Sequence, residues 1–279
     1  MTLIAYNTVT IPSFMYGTAW KEGATAQLVQ LAVASGFRGI DTANQLIHYR
    51  EDLVGKALLA LDKQGIKRNS LFLQTKFTPV NGQDHRTPYD ATADLTTQVQ
   101  QSFDSSLTHL HTDHVDSYVL HGPYSRSGLG ESDREVWTAM EELYQSGKTK
   151  MIGISNVTAG QLTQLCGEAR IKPMVVQNRC YAALGWDREV REICQTHGII
   201  YQGFSLLTAN RDVVADPDIR AIAKRLGASP AQVVFRFAMQ IGMLPLTGTT
   251  SEHHMQEDLQ AMQLALLPEE IQLIDTIAE

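Results

Sequence analysis

Short apolar runs rich in β-branched and aromatic residues alternate along the chain with longer stretches whose apolar residues recur at helical spacing. Apolar runs bounded by Gly, Pro, Asn or Asp are typical of strands. The longer stretches are typical of amphipathic helices, such as the one whose apolar face carries Val99, Phe103 and Leu110. The predicted strands lie at residues 14–17, 39–41, 71–76, 115–120, 151–155, 174–177, 199–204 and 243–246.

Capping and turn residues support this alternation. Thr25, Ser132 and Ser229 with Pro230 are residue types that begin helices, and we expect them to do so here. At the amino terminus, residues 3–6 and 9–11, joined by a two-residue turn, predict a short β-hairpin. The helices are expected to end near glycines, which tolerate a left-handed backbone: Gly36, Gly147, Gly198 and Gly227.

Eight strand–helix alternations in a chain of 279 residues predict a closed (β/α)8 TIM barrel of the α/β class, preceded by the hairpin. An open, doubly wound sheet fits this pattern less well. Neither a shift in composition nor a Ser/Gly linker divides the sequence, so residues 1–279 are interpreted as a single domain.

Composition and charge exclude several classes of protein. Hydrophobic residues make up 43% of the chain, which is enough apolar material for a large core and excludes intrinsic disorder. The chain has 23 Lys and Arg against 30 Asp and Glu, a formal net charge of -7, so no nucleic-acid partner is expected. The sequence shows neither a secretory signal nor an apolar run long enough to cross a bilayer, so no membrane partner is expected either.

Cysteine usage indicates a reducing compartment. Cys166, Cys180 and Cys194 form an odd number and are scattered among ordinary segments, which is typical of buried thiols rather than a disulfide framework. We therefore expect a soluble, cytoplasmic protein. No pattern indicates an interface between subunits, and the expected form is a monomer.

Polar residues follow several predicted strands at their carboxyl ends, where barrel enzymes place their active sites. Asp41, Lys76 and His121 end the second, third and fourth strands. Each alone is interpreted as a solvated loop residue, whereas together they predict an acid, an ammonium and an imidazole at the barrel mouth. A buried lysine–carboxylate pair is costly unless it serves chemistry, for example by lowering the pKa of a proton-donating tyrosine.

Six segments resemble the aldo-keto reductase superfamily, and they occur in the family's order. Each is short and weak alone, but the ordered set is specific. The segments are residues 36–43 (GFRGIDTA), 73–76 (LQTK), 116–123 (DSYVLHGP), 152–156 (IGISN), 173–177 (PMVVQ) and 202–207 (QGFSLL).

The resemblance implies NAD(P)H-dependent reduction of a carbonyl to an alcohol, without metal or flavin. It implies that Asp41 pairs with Lys76, that Lys76 lowers the pKa of the catalytic tyrosine, and that His121 orients the carbonyl. Phe204 matches an aromatic residue that stacks on the nicotinamide. The other cofactor-binding residues implied are Thr18, Asp41, Ser155, Asn156, Gln177, Ser205, Leu207, Thr247, Thr249, His254, Glu257 and Asp258.

The segment that carries the tyrosine departs from the family pattern, in which Tyr-x-Asn-Glu precedes a glycine. Residues 41–55 read DTANQLIHYREDLVG, and the family spacing counted back from Gly55 reaches His48. We take Tyr49 as the general acid, because a neighbouring lysine activates a phenol but only pushes an imidazole toward neutrality. His48 is then expected to contact substrate or to be a polar loop residue.

The adenosine site also departs from the family. Members that use NADPH carry a lysine and an arginine for the 2′-phosphate, and these positions hold Leu246 and His254 here. Thr247, Thr249 and the backbone N–H groups of the next helix could hold a phosphate without cationic side chains. NADPH is the expected cofactor, and NADH remains possible.

The substrate pocket is expected to be open. Many relatives continue into a carboxyl-terminal loop that covers the mouth, whereas this sequence stops after a helix begun by Pro268. Trp20, His48 and Tyr124 are the expected substrate contacts, although Trp20 is equally consistent with a packing role. Such a mouth suits small aldehydes, aromatic aldehydes or α-dicarbonyls.

Two other functions are suggested by parts of the sequence. His109, His111, Asp113 and His114 could hold a metal in a barrel hydrolase, but they precede the fourth strand, away from the catalytic face of a barrel, so no metal site is expected. The irregular tyrosine segment leaves a non-catalytic, nucleotide-binding sensor or partner module as the alternative, because a fold does not guarantee its chemistry.

Overall fold

Eight parallel strands close into a barrel in the computed structural model, which describes residues 5–278. Each predicted strand overlaps one of them, and the predicted TIM barrel is therefore confirmed. The strands before the barrel are β1 (Ala5–Tyr6) and β2 (Val9–Thr10). The eight barrel strands are β3 (Met15–Gly17), β4 (Gly39–Asp41), β5 (Phe72–Phe77), β6 (Ser117–Leu120), β7 (Ile152–Ser155), β8 (Val175–Arg179), β9 (Ile200–Phe204) and β10 (Leu244–Thr247).

Strand order around the barrel follows the chain from β3 to β10, and β10 pairs with both β9 and β3. Helices form most of the connections, as parallel pairing requires. The α-helices of residues 5–278 are α1 (Thr25–Ser35), α2 (Glu51–Lys63), α3 (Leu95–Leu110), α4 (Glu131–Gln145), α5 (Ala159–Glu168), α6 (Arg188–His197), α7 (Arg211–Ala215), α8 (Pro217–Leu226), α9 (Pro230–Gln240), α10 (Glu252–Gln260) and α11 (Pro268–Asp275). Short 3-10 turns lie at Glu22–Ala24, Arg68–Ser70, Val80–Gly82, Ala182–Asp187 and Ala261–Gln263.

Several helix ends follow the local sequence signals. Ser229 caps α9 as predicted, because its side chain accepts a hydrogen bond from the backbone of Gln232. Gly198 and Gly227 end α6 and α8 with φ values of 67° and 63°, a conformation that residues with a Cβ avoid.

Two other predicted helix starts lie within one residue of the observed ones, but their side chains do not cap the helices. Thr25 is the first residue of α1, and its hydroxyl donates to the carbonyl of Glu22 instead of capping the helix. Ser132 also does not cap α4, because the carboxylate of Asp133 binds the backbone N–H of Gly130 from inside the helix. Residue type alone does not reveal which side chain, if any, folds back to cap a helix.

The predicted hairpin is present over β1 and β2, which pair antiparallel; residues 3 and 4 of that prediction lie outside the described residues. Asn7 and Thr8 form its turn with positive φ values. The side chain of Asn7 donates to the carbonyl of Lys150, just before β7. The hairpin therefore lies at the amino-terminal end of the barrel strands, opposite the mouth.

The main core lies between the strands and the surrounding helices. Phe103 of α3 packs on Tyr118 of β6 with ring centroids 4.8 Å apart, and both side chains are fully buried. The three cysteines are buried and unpaired, as predicted. Within residues 5–278, no helix has the length and apolar character needed to span a bilayer. The assignment of residues 1–279 to one domain stays a prediction.

Candidate active site

A buried ion pair occupies the interior of the barrel. The ammonium of Lys76 donates to both carboxylate oxygens of Asp41, at 2.8 and 2.7 Å, and to the carbonyl of Thr42 at 2.8 Å. The two charged side chains are 0% and 4% exposed, and they meet because β4 and β5 are neighbours. Burial lowers the pKa of Lys76, whereas Asp41 acts in the opposite direction.

Three glutamines surround this pair. Gln74 and Gln177 donate to Oδ1 of Asp41 at 2.8 and 3.1 Å, and both also donate to Oε1 of Gln202, at 2.8 and 2.9 Å. These side chains come from β5, β8 and β9 and are almost fully buried. The carboxylate is thus held in one orientation. Sequence reasoning missed Gln74 and Gln202, although each lies two residues before a predicted site residue on its own strand.

Tyr49 lies beside the ion pair. The ammonium of Lys76 is 5.2 Å from the centroid of the Tyr49 ring. The centroids of the Tyr49 and His121 rings are 5.9 Å apart. Burial, and then the charge of Asp41, raise the pKa of Tyr49 above its ordinary value. The net shift is therefore upward, and the lowering of this pKa by Lys76 stays a prediction.

His121 follows β6 and is neutral. Its Nδ1 lies 2.7 Å from the hydroxyl of Thr78, and the side chain of Asn156 donates to its carbonyl at 2.8 Å. Burial, followed by the positive charges of Lys76 and His48, lowers the pKa of His121 to about 3. The imidazole therefore carries one proton at neutral pH. Thr78 was missed in the sequence, where it stands in an unremarkable loop.

His48 lies at the mouth, next to Trp20. Their ring centroids are 4.0 Å apart, and the backbone N–H of Trp20 donates to the carbonyl of His48 at 2.7 Å. The Nδ1 of His48 lies 2.7 Å from Oε1 of Gln45. The structure thus brings Tyr49, and not His48, against the ring of His121 and the ammonium of Lys76.

A cavity of about 1050 Å³ extends from these residues along the strand ends to α10. This volume is at the upper end of the range for small-molecule and cofactor sites. Lys76 lies beneath its floor. The sequence-predicted residues that line it are Trp20, Asp41, His48, Tyr49, His121, Ser155, Asn156, Gln177, Phe204, Ser205, Leu207, Thr247, Thr249, His254, Glu257 and Asp258.

Thr18 and Tyr124 are not among the residues that line this cavity. Thr18 is fully buried, and its hydroxyl donates to the carbonyl of Asp41 at 2.9 Å, so it supports the strand that carries Asp41. Tyr124 packs against the core from the loop after β6, and its backbone N–H donates to Asp133. Their expected contacts with cofactor and substrate stay predictions.

The far end of the cavity is less cationic than the family pattern implies. Leu246 is buried in β10, and His254 lies in the first turn of α10. Lys21, which sequence reasoning missed, donates from its ammonium to the carbonyl of Gly248, and burial lowers its pKa. Burial also raises the pKa of Asp258 to about 7.

The histidines considered for a metal lie elsewhere. His109, near the end of α3, contacts the buried carboxylate of Glu51 at 3.1 Å, and His114 contacts Asp113 at 2.7 Å. Within residues 5–278, no group of three or more His, Cys, Asp or Glu side chains is arranged to hold a metal ion.

A parallel barrel whose strand ends gather a tyrosine, a lysine–aspartate pair and a histidine beside a long cavity has an arrangement typical of TIM-barrel enzymes. Comparison with known proteins then gives its family: residues 14–279 match the model of the "Aldo/keto reductase family". The chain belongs to the aldo/keto reductase family. It is an oxidoreductase, and the family reduces carbonyl groups of small molecules with nicotinamide cofactors.

Relatives from distant organisms share this fold and sequence pattern. The chain is 29% identical to a glyoxal reductase of Bacillus subtilis, over 99% of this chain and 92% of that protein. It is 30% identical to an NADPH-dependent alpha-keto amide reductase of Saccharomyces cerevisiae, over 89% of this chain and 77% of that protein. The structure of the aldose reductase from Schistosoma japonicum superposes with a TM-score of 0.85 at 24% identity, covering 100% and 92% of the two chains, which shows the same fold.

Proposed function

We propose that the protein reduces aldehydes and ketones to alcohols with NADPH, and that small aldehydes, aromatic aldehydes and α-dicarbonyls are its substrates. The observation that carries this proposal is the contact of Tyr49 with both Lys76 and His121 on the wall of one cavity. The names of two relatives, a glyoxal reductase and an alpha-keto amide reductase, support an activated carbonyl as substrate.

Tyr49 serves as the general acid. The cofactor, when bound, supplies a hydride to the carbonyl carbon. Because the pKa of Tyr49 is raised, its phenol is fully protonated at neutral pH and ready to donate. The oxygen of a reduced carbonyl is a stronger base than a phenolate, so the proton moves from Oη of Tyr49 to that oxygen. Lys76, 5.2 Å from the ring centre, stabilises the negative charge that remains, and Asp41 holds Lys76 in place.

His121 donates a hydrogen bond to the substrate oxygen, and Thr78 sets the tautomer that allows it. Thr78 is 2% exposed, and its hydroxyl proton has no acceptor within residues 5–278 other than Nδ1 of His121. A buried hydroxyl without an acceptor is costly, so the hydroxyl donates to Nδ1. The neutral imidazole then carries its proton on Nε2, the nitrogen that is free to bind a carbonyl oxygen.

Replacing Thr78 with valine, which has nearly the same shape, is expected to lower kcat about 10- to 100-fold, because the imidazole loses the partner that keeps the proton on Nε2. Nitrogen NMR of the His121 ring shows directly which ring nitrogen carries the proton. The Thr78→Ser variant retains the hydroxyl and should restore both the rate and the tautomer. A Thr78→Val enzyme with wild-type kcat and an Nε2 proton contradicts this role.

The cavity residues suit a nicotinamide dinucleotide. Asn156 and Gln177 offer amides near Tyr49 for the carboxamide, and the half-buried ring of Phe204 offers a stacking surface. At the other end, Thr247 and Thr249 offer hydroxyl and backbone donors, and Lys21 provides an ammonium near the same loop. We propose NADPH as the preferred cofactor because this ammonium supplies a positive charge where Leu246 and His254 do not.

A panel of carbonyl compounds assayed with NADPH and NADH tests the proposal. We expect loss of the cofactor absorbance with an aromatic aldehyde or an α-dicarbonyl, and a lower Kd for NADPH than for NADH by quenching of cofactor fluorescence. Binding of the cofactor without turnover of any carbonyl indicates the nucleotide-binding module instead. A lower Kd for NADH shows that the cofactor assignment is wrong.

A further inference from the structure

Arg179 stands at the mouth of the cavity with most of its hydrogen-bonding capacity unused. It ends β8 two residues after Gln177, so the pleat directs both side chains toward the same face, and both line the cavity. In residues 5–278 its guanidinium makes one long hydrogen bond, from Nη1 to the hydroxyl of Tyr181 at 3.4 Å, and no ion pair. A guanidinium has five N–H donors, so most of them have no protein partner.

The position of this cation is defined by Phe204. Arg179 and Phe204 are register partners on β8 and β9, and the guanidinium carbon lies 5.6 Å from the centroid of the Phe204 ring. This geometry is typical of a cation–π contact, which orients the guanidinium without neutralising it. A molecule that stacks on the Phe204 ring therefore lies next to a positive charge.

Among residues 5–278, the acidic residues that line the cavity do not pair with Arg179. The acidic residues that line the cavity are Asp41, Glu257 and Asp258. Asp41 is paired with Lys76 at 2.7 Å, and the other two lie in α10 beyond β10. Arg179 is thus an uncompensated cation in a concave site, in a chain of net charge -7. Such a charge attracts anions into the cleft.

We propose that Arg179 binds an anionic oxygen group of a molecule held in the cavity, beside the ring of Phe204. The planar guanidinium suits two oxygens of a carboxylate or a phosphate. A carboxylate on the carbonyl substrate and the diphosphate of the cofactor are the two sources of such a group. The inference rests on the proposed reductase function, which brings both molecules into this cavity. A substrate carboxylate would narrow the substrate class to oxo acids and aldehydes that carry a carboxylate.

The test compares a charged substrate with its neutral analogue. The enzyme with Arg179→Gln is assayed with para-formylbenzoate and with para-formylbenzamide, which differ in charge but have nearly the same shape. The Kd for NADPH is measured in parallel by fluorescence quenching. Lys63→Gln, at the exposed end of α2 and outside the cavity, is the control for the same change in net charge.

Loss of the charged contact is expected to weaken binding of one anion about tenfold or more. A rise of that size in KM for para-formylbenzoate alone identifies the substrate carboxylate, and a rise in the Kd for NADPH alone identifies the cofactor diphosphate. The proposal is overturned if neither constant changes more than about twofold relative to Lys63→Gln, or if KM rises equally for both substrates at unchanged Kd.

The same variants separate this inference from the proposed function. If the wild-type protein turns over no carbonyl, the reductase proposal fails, yet the binding of NADPH and of para-formylbenzoate can still be followed by fluorescence in wild type and Arg179→Gln. Weaker binding of either anion to the variant then supports the anion site alone, whereas equal binding to both proteins overturns it.

Discussion

Replacing Tyr49 with phenylalanine is expected to lower turnover about 1000-fold or more while leaving the Kd for NADPH nearly unchanged. The substitution removes only the hydroxyl that donates the proton, and general acid catalysis contributes about 10²- to 10⁴-fold to a rate. The ring that contacts Lys76 and His121 is retained, so the walls of the cavity keep their shape. Single-turnover reduction of an aromatic aldehyde measures the rate, and quenching of NADPH fluorescence measures the Kd for NADPH.

His48→Ala is the matched control, because His48 precedes Tyr49 and lines the same cavity but packs against Trp20 at the mouth. We expect this variant to change KM for bulky aldehydes and to retain kcat within about tenfold. The opposite result, an active Tyr49→Phe enzyme with an inactive His48→Ala enzyme, assigns the proton to the imidazole and refutes the role of Tyr49.

Replacing Lys76 with methionine is expected to lower turnover about 100-fold or more and to destabilise the fold as well. The variant removes the positive charge beneath Tyr49, which stabilises the phenolate left after proton transfer. It also leaves the carboxylate of Asp41 buried without a counter-ion, and breaking such a buried pair costs about 3–5 kcal/mol. Denaturant unfolding measures the loss of stability independently of the loss of turnover.

A double variant separates catalysis from stability. Adding Asp41→Asn to Lys76→Met removes the unpaired charge while keeping an oxygen that accepts from Gln74 and Gln177. The double variant should recover most of the lost free energy of unfolding and remain inactive. Recovery of turnover along with stability contradicts a direct electrostatic role for Lys76 and reduces it to a structural residue.

Much of the architecture could be predicted because its signals are local. A buried parallel strand reads as a short apolar run bounded by turn residues, and each of the eight runs overlaps an observed barrel strand. The carboxyl ends of those strands meet at one mouth by geometry alone, which is why the sequence is enough to group Asp41, Lys76 and His121.

The parts that could not be predicted depend on which groups satisfy one another. The raised pKa of Tyr49 follows from its burial and from the nearby charge of Asp41, and residue type reveals neither. The role proposed for Thr78 depends on its contact with His121, 43 positions along the chain. Thr18 and Tyr124 are not among the residues that line the cavity, and the direction of their side chains could not be read from residue type.

The glutamine layer constrains how this sequence can vary over time. Gln74 and Gln202 each donate to the other, and Gln177 donates to Gln202 and to Asp41, so the three amides depend on one another for their hydrogen bonds. A single apolar replacement leaves a buried amide on another β-strand without its hydrogen-bond partner, and the full desolvation penalty of that amide then lowers the stability of the fold. Replacing all three amides together leaves no such unpaired group. Positions 74, 177 and 202 are therefore expected to show strong epistasis: neutral drift can alter the loops around the mouth one residue at a time, but this layer must change as a set or not at all.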